Sequence, residues 1–258
     1  MINSPVNAQI KNIILLNTKS KARREQDAFV AEGVKMFLEA PASHVRKVYV
    51  SGEFFSKTMY RDKIEKVPYE IVSDEVFRKM CDTKTPQGIL TVLEQFHYRE
   101  KDIYAGENPL ILILESIQDP GNLGTMIRTA EGAGVSGILM DRGTVDIYNP
   151  KVIRATMGSV YRMPFYYTDD LRASIERMKT QNVQVFAAHL RGEELYTKKD
   201  YRKGTAFMIG NEGNGLTEET ASLADSYIKI PMGGSVESLN AAVAAALLMY
   251  EADRQRRL

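Results

Sequence analysis

Two glycine-rich segments near the carboxyl end carry the residues best suited to bind a ligand. They span residues 210–216 and 230–240, and each follows an apolar stretch that predicts a strand, at 205–209 and 227–230. Loops at the carboxyl ends of parallel strands are where open α/β sheets bind ligands. Glycine lets backbone N–H and C=O groups lie directly against a flat molecule, because it has no side chain. The two loops therefore predict a cleft with a wall of bare backbone.

Three apolar side chains beside these loops suit one part of such a molecule. Ile230, Met232 and Leu239 offer apolar walls for an adenine ring, since ligand pockets are lined mainly by apolar groups around a few polar ones. An adenine-containing ligand is therefore compatible with the cleft.

A third segment adds an arginine. Residues 110–115 predict a buried strand, 119–122 a turn and 123–131 a helix. The apolar residues of that helix share one face by the 3.6-residue period, so Arg128 lies on the opposite face and is available to a substrate. An exposed helical arginine is more commonly a solvated surface group. The apolar residues of the helix are Leu123, Ile127 and Ala130.

Together these segments resemble the SpoU/TrmH group of the SPOUT superfamily, which are RNA ribose 2'-O-methyltransferases that use S-adenosylmethionine. The resemblance covers residues 108–258 closely and implies an α/β domain with a mainly parallel sheet and a deep trefoil knot, one of the rare exceptions to unknotted chains. The motifs that carry it are Asp119-Pro120-Gly121-Asn122-Leu123-Gly124 with Arg128, Gly210-Asn211-Glu212-Gly213-Asn214-Gly215-Leu216, and Ile230-Pro231-Met232 with Ser238-Leu239-Asn240.

The resemblance also implies which residues act. The predicted catalytic residues are Asn122, Arg128, Glu212, Ser238 and Asn240. The predicted cofactor-binding residues are Ala188, Gly210, Ile230, Met232, Ser238 and Leu239.

Arg128 is commonly cast as the base in this family, but chemistry favours another role. Holding an arginine of pKa about 12.5 neutral at pH 7 costs on the order of 7 kcal/mol. We therefore favour a cation that stabilises the developing alkoxide and grips a neighbouring phosphate, with a substrate phosphate or water taking the proton. Asn122 is expected to orient Arg128 or the ribose. Glu212 is expected either to hold Arg128 or to order the glycine loop, and Ser238 and Asn240 to supply hydrogen bonds.

The first third of the chain predicts a separate, smaller α/β domain with a partly parallel sheet. Its segments 29–33 and 85–88 look like those of the domain similar to ribosomal protein L30e that many SpoU proteins carry at this position. The predicted boundaries are 1–97 for this RNA-binding domain, 98–107 for a linker and 108–258 for the methyltransferase domain. The predicted elements of the first domain are a helix at 23–39, strands at 46–50, 70–72 and 89–93, and a helix at 74–80.

Local charge suggests where RNA binds. The net charge of +1 argues neither way, but residues 9–24 contain five basic residues and no acidic one. Such a run is more often a solvated face; with the resemblance to RNA enzymes, we predict that it contacts RNA. The predicted RNA-binding residues are Lys19, Lys21, Arg23 and Arg24. The basic tail, Arg254, Arg256 and Arg257, is predicted to be a solvated face.

Composition agrees with an intracellular enzyme. Of the 258 residues, 44% are hydrophobic, and the single cysteine, Cys81, excludes an internal disulfide. No apolar run approaches the roughly eighteen residues of a membrane span, and the polar start does not predict a signal peptide. The three histidines are far apart in sequence, so no metal site is predicted. We expect a cytoplasmic protein, without metal or membrane partners, that forms a homodimer as is usual in the family.

Other functions fit the sequence less well. Residues 132–137 match G-x-G-x-x-G but follow a predicted helix and precede a strand, which is the reverse of a dinucleotide site. We interpret them as a helix stop. A catalytically silent RNA-binding assembly factor is a second alternative, opposed by the intact catalytic set. Among substrates, ribosomal RNA, specifically 23S rRNA, is favoured over transfer RNA.

Overall fold

The structure is a computed structural model that describes residues 1–189, 191–192 and 194–258. The chain divides into two compact units. The first comprises Met1–His97 with Asp146–Tyr161, and the second comprises Tyr98–Val145 with Arg162–Leu258.

The described helices and strands follow one another along the chain in an α/β order. The helices are α1 Ala8–Thr18, α2 Ser20–Gln26, α3 Val34–Glu39, α4 Gly52–Lys57, α5 Arg61–Ile64, α6 Asp74–Met80, α7 Glu100–Ile103, α8 Pro120–Gly132, α9 Pro150–Thr156, α10 Leu171–Lys179, α11 Glu218–Ala221 and α12 Ala241–Arg256. The strands are β1 Ala28–Glu32, β2 Val45–Ser51, β3 Tyr69–Val72, β4 Ile89–Glu94, β5 Leu110–Leu114, β6 Gly137–Asp141, β7 Phe165–Thr168, β8 Gln184–Ala188, β9 Glu194–Leu195, β10 Thr205–Ile209 and β11 Ser226–Lys229. Short 3₁₀ turns occur at Ala42–His44, Ser159–Tyr161 and Tyr196–Lys198.

The first unit is built on a four-stranded sheet in the order β1-β4-β2-β3. β2 and β3 are parallel, and the other neighbours are antiparallel. The predicted partly parallel sheet is therefore observed, with strands and helix α6 close to their predicted positions. α1 and α6 cover one face and bury Ile10, Ile13, Val76 and Phe77.

The helix predicted at 23–39 is wrong. α2 ends at Gln26 because Asp27 adopts the left-handed conformation, with φ of 48°. β1 follows and pairs antiparallel with β4, and Gly33, with φ of 107°, then starts α3. Phe29 and Val30 favour a strand. Their spacing from the apolar residues of α3 also fits the helical period. The stretch is too short for periodicity to distinguish a helix from a strand.

The first unit also contains a segment from the middle of the chain. Asp146–Tyr161 lies inside the predicted methyltransferase domain in sequence, yet it packs with the first unit. α9 packs against β1, and the ring of Tyr148 lies 4.6 Å from that of Phe29. The boundaries predicted at 97 and 108 therefore omit this excursion, which no change in composition marks.

The second unit is built on a seven-stranded sheet in the order β7-β6-β5-β10-β8-β11-β9. Every neighbouring pair is parallel, which confirms the predicted α/β fold with a mainly parallel sheet. The central strand β5 is buried along its whole length, as its continuous apolar sequence predicts. α8 ends at Gly132, and Gly134 has φ of 69°, so the G-x-G-x-x-G segment is the predicted helix stop.

The predicted linker at 98–107 belongs to the second unit. It contains α7, which packs against β6 and β7 and fully buries Ile103. A Cβ on Gly137 would lie 2.7 Å from the Ile103 Cα. The glycine therefore permits this close packing. Within the described residues, no helix is both long and apolar enough to cross a membrane.

Candidate active site

The two glycine-rich loops enclose a cavity in the second unit. Its volume is about 270 Å³, and it lies at the carboxyl ends of β8, β10 and β11 beside the start of α12. The structure brings together all six residues predicted to bind a cofactor: Ala188, Gly210, Ile230, Met232, Ser238 and Leu239 line the cavity. Backbone of residues 213–215 forms part of the wall. The cavity therefore has the bare-backbone and apolar surfaces that the sequence predicts.

Gly210 is needed for a different reason from the one the sequence suggests. A Cβ at this position would collide with the Gly215 carbonyl carbon and the Leu216 nitrogen. The glycine loop therefore closes onto itself at Gly210. A side chain is excluded here because the backbone at Gly210 lies against the backbone at 215–216. A ligand that approaches the same backbone would be a second reason.

The loop after β10 is held in shape by Asn211. Asn211 and Gly215 exchange backbone hydrogen bonds of 3.0 and 2.9 Å. The Asn211 side-chain oxygen accepts from the Gly213 and Asn214 N–H groups, and its amide donates to the Ser116 carbonyl. Side-chain to backbone bonds of this kind are how asparagine stabilises turns.

Glu212 ties the glycine loop to the start of α8. Its carboxylate accepts hydrogen bonds from the Gln118 N–H at 3.0 Å, the Asp119 N–H at 2.9 Å and the Asn122 side-chain amide at 3.0 Å. Partial burial alone would raise the pKa of Glu212, but these three donors outweigh it and hold the pKa below its usual value. Glu212 is thus an ionised anchor for the turn before α8.

Asn122 continues the network to α12. Its side-chain oxygen accepts from the Asn240 amide at 2.9 Å. The Asn240 oxygen in turn accepts from the Ala242 and Val243 N–H groups and caps α12. Because Asn122 is bonded through both side-chain atoms, it positions the loops around the cavity and does not orient Arg128.

Arg128 stands apart from this network. Within residues 1–189, 191–192 and 194–258, it makes no hydrogen bond or ion pair, and its side chain is exposed. It follows Asn122 by six residues, about 9 Å along the helix axis. Of the two roles expected for Glu212, holding Arg128 is therefore not observed and ordering the glycine loop is. Arg128 does not line the cavity, whereas Ser238 is an exposed part of its wall.

Two residues of the site are not among those predicted. Glu115 is 8% exposed and accepts hydrogen bonds from the Thr217 N–H and from the hydroxyls of Thr217 and Thr220. It fixes the chain where the glycine loop ends. Its sequence signal is an acidic residue directly after a fully apolar strand, a place where a lone charge needs partners.

His189 is the second such residue. It lines the cavity, stacks on Tyr227 with ring centres 5.0 Å apart, and accepts from the Arg191 N–H through Nδ1. That bond assigns the other ring nitrogen, Nε2, as the protonated one. The position of His189 at the end of β8 is the signal that marks it.

The predicted RNA-binding residues differ in exposure. Lys19, Lys21 and Arg24 are exposed on the first unit, but Arg23 is only 4% exposed. Its guanidinium donates to Asp146 at 2.9 and 2.7 Å and to the Leu16 carbonyl at 2.6 Å. The prediction for Arg23 is therefore corrected: its partner is 123 positions away in sequence, and the charge is used within the fold.

The basic tail is likewise largely occupied. Arg254 and Arg257 pair with Glu251 and Asp253. Arg256 donates to backbone carbonyls, including those of Tyr201 and Lys203, at 2.8 and 2.7 Å. The tail is therefore not simply a solvated face. In the part of the chain that the structure describes, no group of three or more His, Cys, Asp or Glu side chains could hold a metal ion.

Comparison with known families adds to this geometry. Residues 109–250 match the model of the SpoU rRNA Methylase family, and residues 7–91 match an MRM3-like substrate binding domain. The chain belongs to the SpoU rRNA methylase family. The predicted family and the predicted activity, RNA ribose 2'-O-methylation, are thereby confirmed.

Several relatives match this SpoU protein over nearly its whole length. It is 32% identical to 23S rRNA (guanosine(2553)-2'-O)-methyltransferase RlmP of Bacillus subtilis, over 96% of this chain and 97% of that protein. It resembles the AdoMet complex of the SpoU methyltransferase AviRb from Streptomyces viridochromogenes, with a TM-score of 0.88, 25% identity, and 97% and 98% of the two chains covered. It also resembles an AdoMet-bound rRNA methyltransferase from Sinorhizobium meliloti, with a TM-score of 0.84, 31% identity, and 98% and 97% covered.

Proposed function

We propose that this SpoU enzyme methylates a ribose 2'-oxygen in 23S ribosomal RNA. The observation that carries the proposal is the cavity between the two glycine loops, fixed by the Glu212–Asn122–Asn240 network. RlmP, a relative over nearly the full length, is named as a 23S rRNA 2'-O-methyltransferase. Several other relatives are named more broadly as tRNA/rRNA methyltransferases, which keeps transfer RNA as the alternative substrate.

The cofactor is S-adenosylmethionine, as predicted. Solved relatives of this enzyme carry AdoMet, and the cavity fits the molecule by its chemistry. Ile230, Met232 and Leu239 offer apolar surface for the adenine, and the glycines of the 210–215 loop let a ligand approach the backbone closely. When bound, the cofactor supplies an activated methyl group on a sulfonium.

The residues of this chain contribute position and charge. Asn240 and Glu212 hold the two loops in register, so that a nucleophile and the methyl group can be kept aligned, which is the main source of rate in such a displacement. We assign Arg128 to the reacting ribose as a cation, since no group of the described chain neutralises it. Ser238, on the cavity wall, is assigned as a hydrogen-bonding partner in the same loop.

The first domain is the part of the chain that we assign to RNA binding. We propose that the domain at 1–97 binds RNA, supported by its match to a substrate binding domain, with Lys19, Lys21 and Arg24 as exposed contacts.

We also propose a homodimer through α12. Its Val243, Leu247 and Tyr250 are 48%, 37% and 49% exposed and share one helical face. The trefoil knot and the cytoplasmic location stay predictions.

A deletion strain tests the substrate. Ribose methylation would be mapped across total RNA of wild-type and deletion strains, and we expect one 2'-O-methyl group to disappear from 23S rRNA. A site lost from transfer RNA instead would transfer the proposal to the alternative substrate. An unchanged map would reject both.

A further inference from the structure

Another cavity, smaller than the cofactor cavity, lies in the first unit and shares no residue with the cofactor cavity. Its volume is about 200 Å³, below the roughly 300–1,000 Å³ of sites for drug-sized ligands. It is bordered by the turn between β1 and α3, by the loop before β4, and by the end of α9. The side chains that matter here are Lys35, Met36, Gln87, Arg154 and Met157.

We propose that this cavity binds one unpaired nucleotide of the RNA substrate, with the base against Met36 and Met157 and the neighbouring phosphate near Lys35 and Arg154. This inference rests on the proposed function, since it adds a second point of contact for the same RNA. Sequence-specific recognition of RNA generally targets unstacked bases, which pack on side chains and pair through their polar edges.

The two loops that border the cavity are pinned to each other. The Gln87 side-chain oxygen accepts from the Val34 N–H at 2.8 Å. The Glu32 carboxylate accepts from the Asp82 N–H and from the Thr83 hydroxyl. The cavity wall is therefore formed before any ligand arrives, as in most small-molecule sites.

Met157 lines the cavity from a backbone conformation that side chains rarely adopt. It ends α9 in the left-handed conformation, with φ of 51°, where glycine or asparagine is normally found. Its side chain is 39% exposed and lines the cavity. Strained backbone conformations cluster at binding sites, so an exposed apolar side chain in one, at the edge of a cavity, supports a ligand contact here.

The backbone around Met157 is also fixed in place. Gly158 follows with φ of 101°, and a Cβ there would collide with the Glu39 Oε2. Glu39 in turn lies 3.6 Å from the Lys35 Nζ. The position of Met157 relative to the cation is thus set by the fold.

Each cation of the cavity is paired with a carboxylate, Lys35 with Glu39 and Arg154 with Asp82, and keeps an exposed side that a phosphate can reach. Lys35 is 52% exposed. Arg154 is held by Asp82 through Nη1 at 2.5 Å, and among the described residues its Nε and Nη2 have no partner. A guanidinium oriented on one side and open on the other is suited to grip a phosphate or the edge of a base.

The test uses the full-length protein and an in vitro transcript of 23S rRNA, with bulk transfer RNA as a second probe. Met157→Gly and Met157→Asn both suit the left-handed backbone, so the melting temperature should not fall. RNA affinity should drop about two- to tenfold, the range of a methionine–aromatic contact, with an unchanged dependence on salt. Lys35→Ala should instead lower the slope of log affinity against log salt by about one.

Lys57→Ala is the matched control, because Lys57 is also an exposed lysine of the first unit in an i,i+4 pair, with Glu53. It should leave affinity and slope unchanged. If both Met157 variants bind RNA with wild-type affinity, the nucleotide site is overturned. If Lys35→Ala and Lys57→Ala change RNA affinity and its salt slope equally, the phosphate contact is overturned. If the wild-type protein itself binds neither RNA while binding S-adenosylmethionine, the proposed function fails instead, so the two failures are distinguishable.

Discussion

The side-chain amide of Asn240 donates to the side-chain oxygen of Asn122 over 2.9 Å. This bond joins the residue that caps α12 to the first turn of α8, and through Asn122 it reaches Glu212 in the glycine loop. Segments separated by 118 and 90 positions in sequence meet at these contacts. The geometry of the cavity therefore depends on one short chain of amide and carboxylate groups.

Asn122→Ala removes the central member of that chain. Glu212 loses one of its three donors and Asn240 loses its acceptor, so we expect methyl transfer to fall and S-adenosylmethionine affinity to weaken, with a stability loss of about 1 kcal/mol. Calorimetric titration and thermal melting measure these effects. Asn108→Ala, at an exposed asparagine with no side-chain bond among the described residues, is the control. Activity equal to wild type in Asn122→Ala would contradict the positioning role.

Glu212→Gln tests the pH dependence of the anchor. The folded pKa of Glu212 is lowered, so its contribution to stability is present above the unfolded value of about 4.3 and is lost as pH falls toward the folded pKa. At neutral pH, wild type should have the larger free energy of unfolding. The difference should be less than about 1 kcal/mol, because the carboxylate is largely exposed and screened. The gap should narrow as pH falls from the unfolded value through the folded pKa. A gap that is constant with pH would show that the carboxylate charge is not involved.

Substitutions of Arg128 distinguish a role as a cation from a role as a base. If it acts as a bidentate cation, both Arg128→Ala and Arg128→Lys should lower single-turnover methyl transfer about a hundredfold or more at every pH, with cofactor affinity retained. Recovery of the lysine variant at rising pH would indicate a base instead. Arg172→Ala, at an exposed arginine on α10, controls for loss of charge. Full activity in Arg128→Ala would reject the site.

The corrected role of Arg23 has a measurable consequence. Arg23→Ala leaves Asp146 without its buried partner and should cost up to about 3 kcal/mol of stability, whereas Lys21→Ala should change it by less than about 0.5 kcal/mol. Denaturant unfolding compares them. Conversely, neutralising Lys19, Lys21 and Arg24 together should flatten the salt dependence of RNA binding. An Arg23→Ala protein as stable as wild type would contradict the structural role of Arg23.

Ala244→Leu tests whether the cavity holds the cofactor. Ala244 lines the cavity on α12, and leucine preserves the helix while filling space. Since overpacking costs about 1–3 kcal/mol, S-adenosylmethionine affinity should fall about tenfold or more. Ala173→Leu on α10 is the control outside the cavity. This variant is more informative than Gly210→Val, which would collide with the loop backbone. Unchanged affinity would place the cofactor elsewhere.

The sequence predicted the parts of the site that depend on local pattern. Apolar strands that end in glycine loops located the cleft, because strand ends and glycine-rich turns are encoded over a few residues. The family resemblance supplied the six predicted cofactor residues, all of which line the cavity. The partners of Arg23 and Glu212 were not predictable, since each bond joins segments far apart in the chain. The strand at Phe29 was missed because tertiary pairing with β4 decided between two locally similar patterns.

The central claim is tested most directly by tracing a labelled methyl group. The purified protein would be incubated with methyl-labelled S-adenosylmethionine and either 23S rRNA or transfer RNA from a deletion strain, and the RNA would be digested to nucleosides and separated. We expect label in a single 2'-O-methylribonucleoside from 23S rRNA and none in transfer RNA. Label on a base, or no transfer to either RNA by a protein that binds S-adenosylmethionine, would contradict the account.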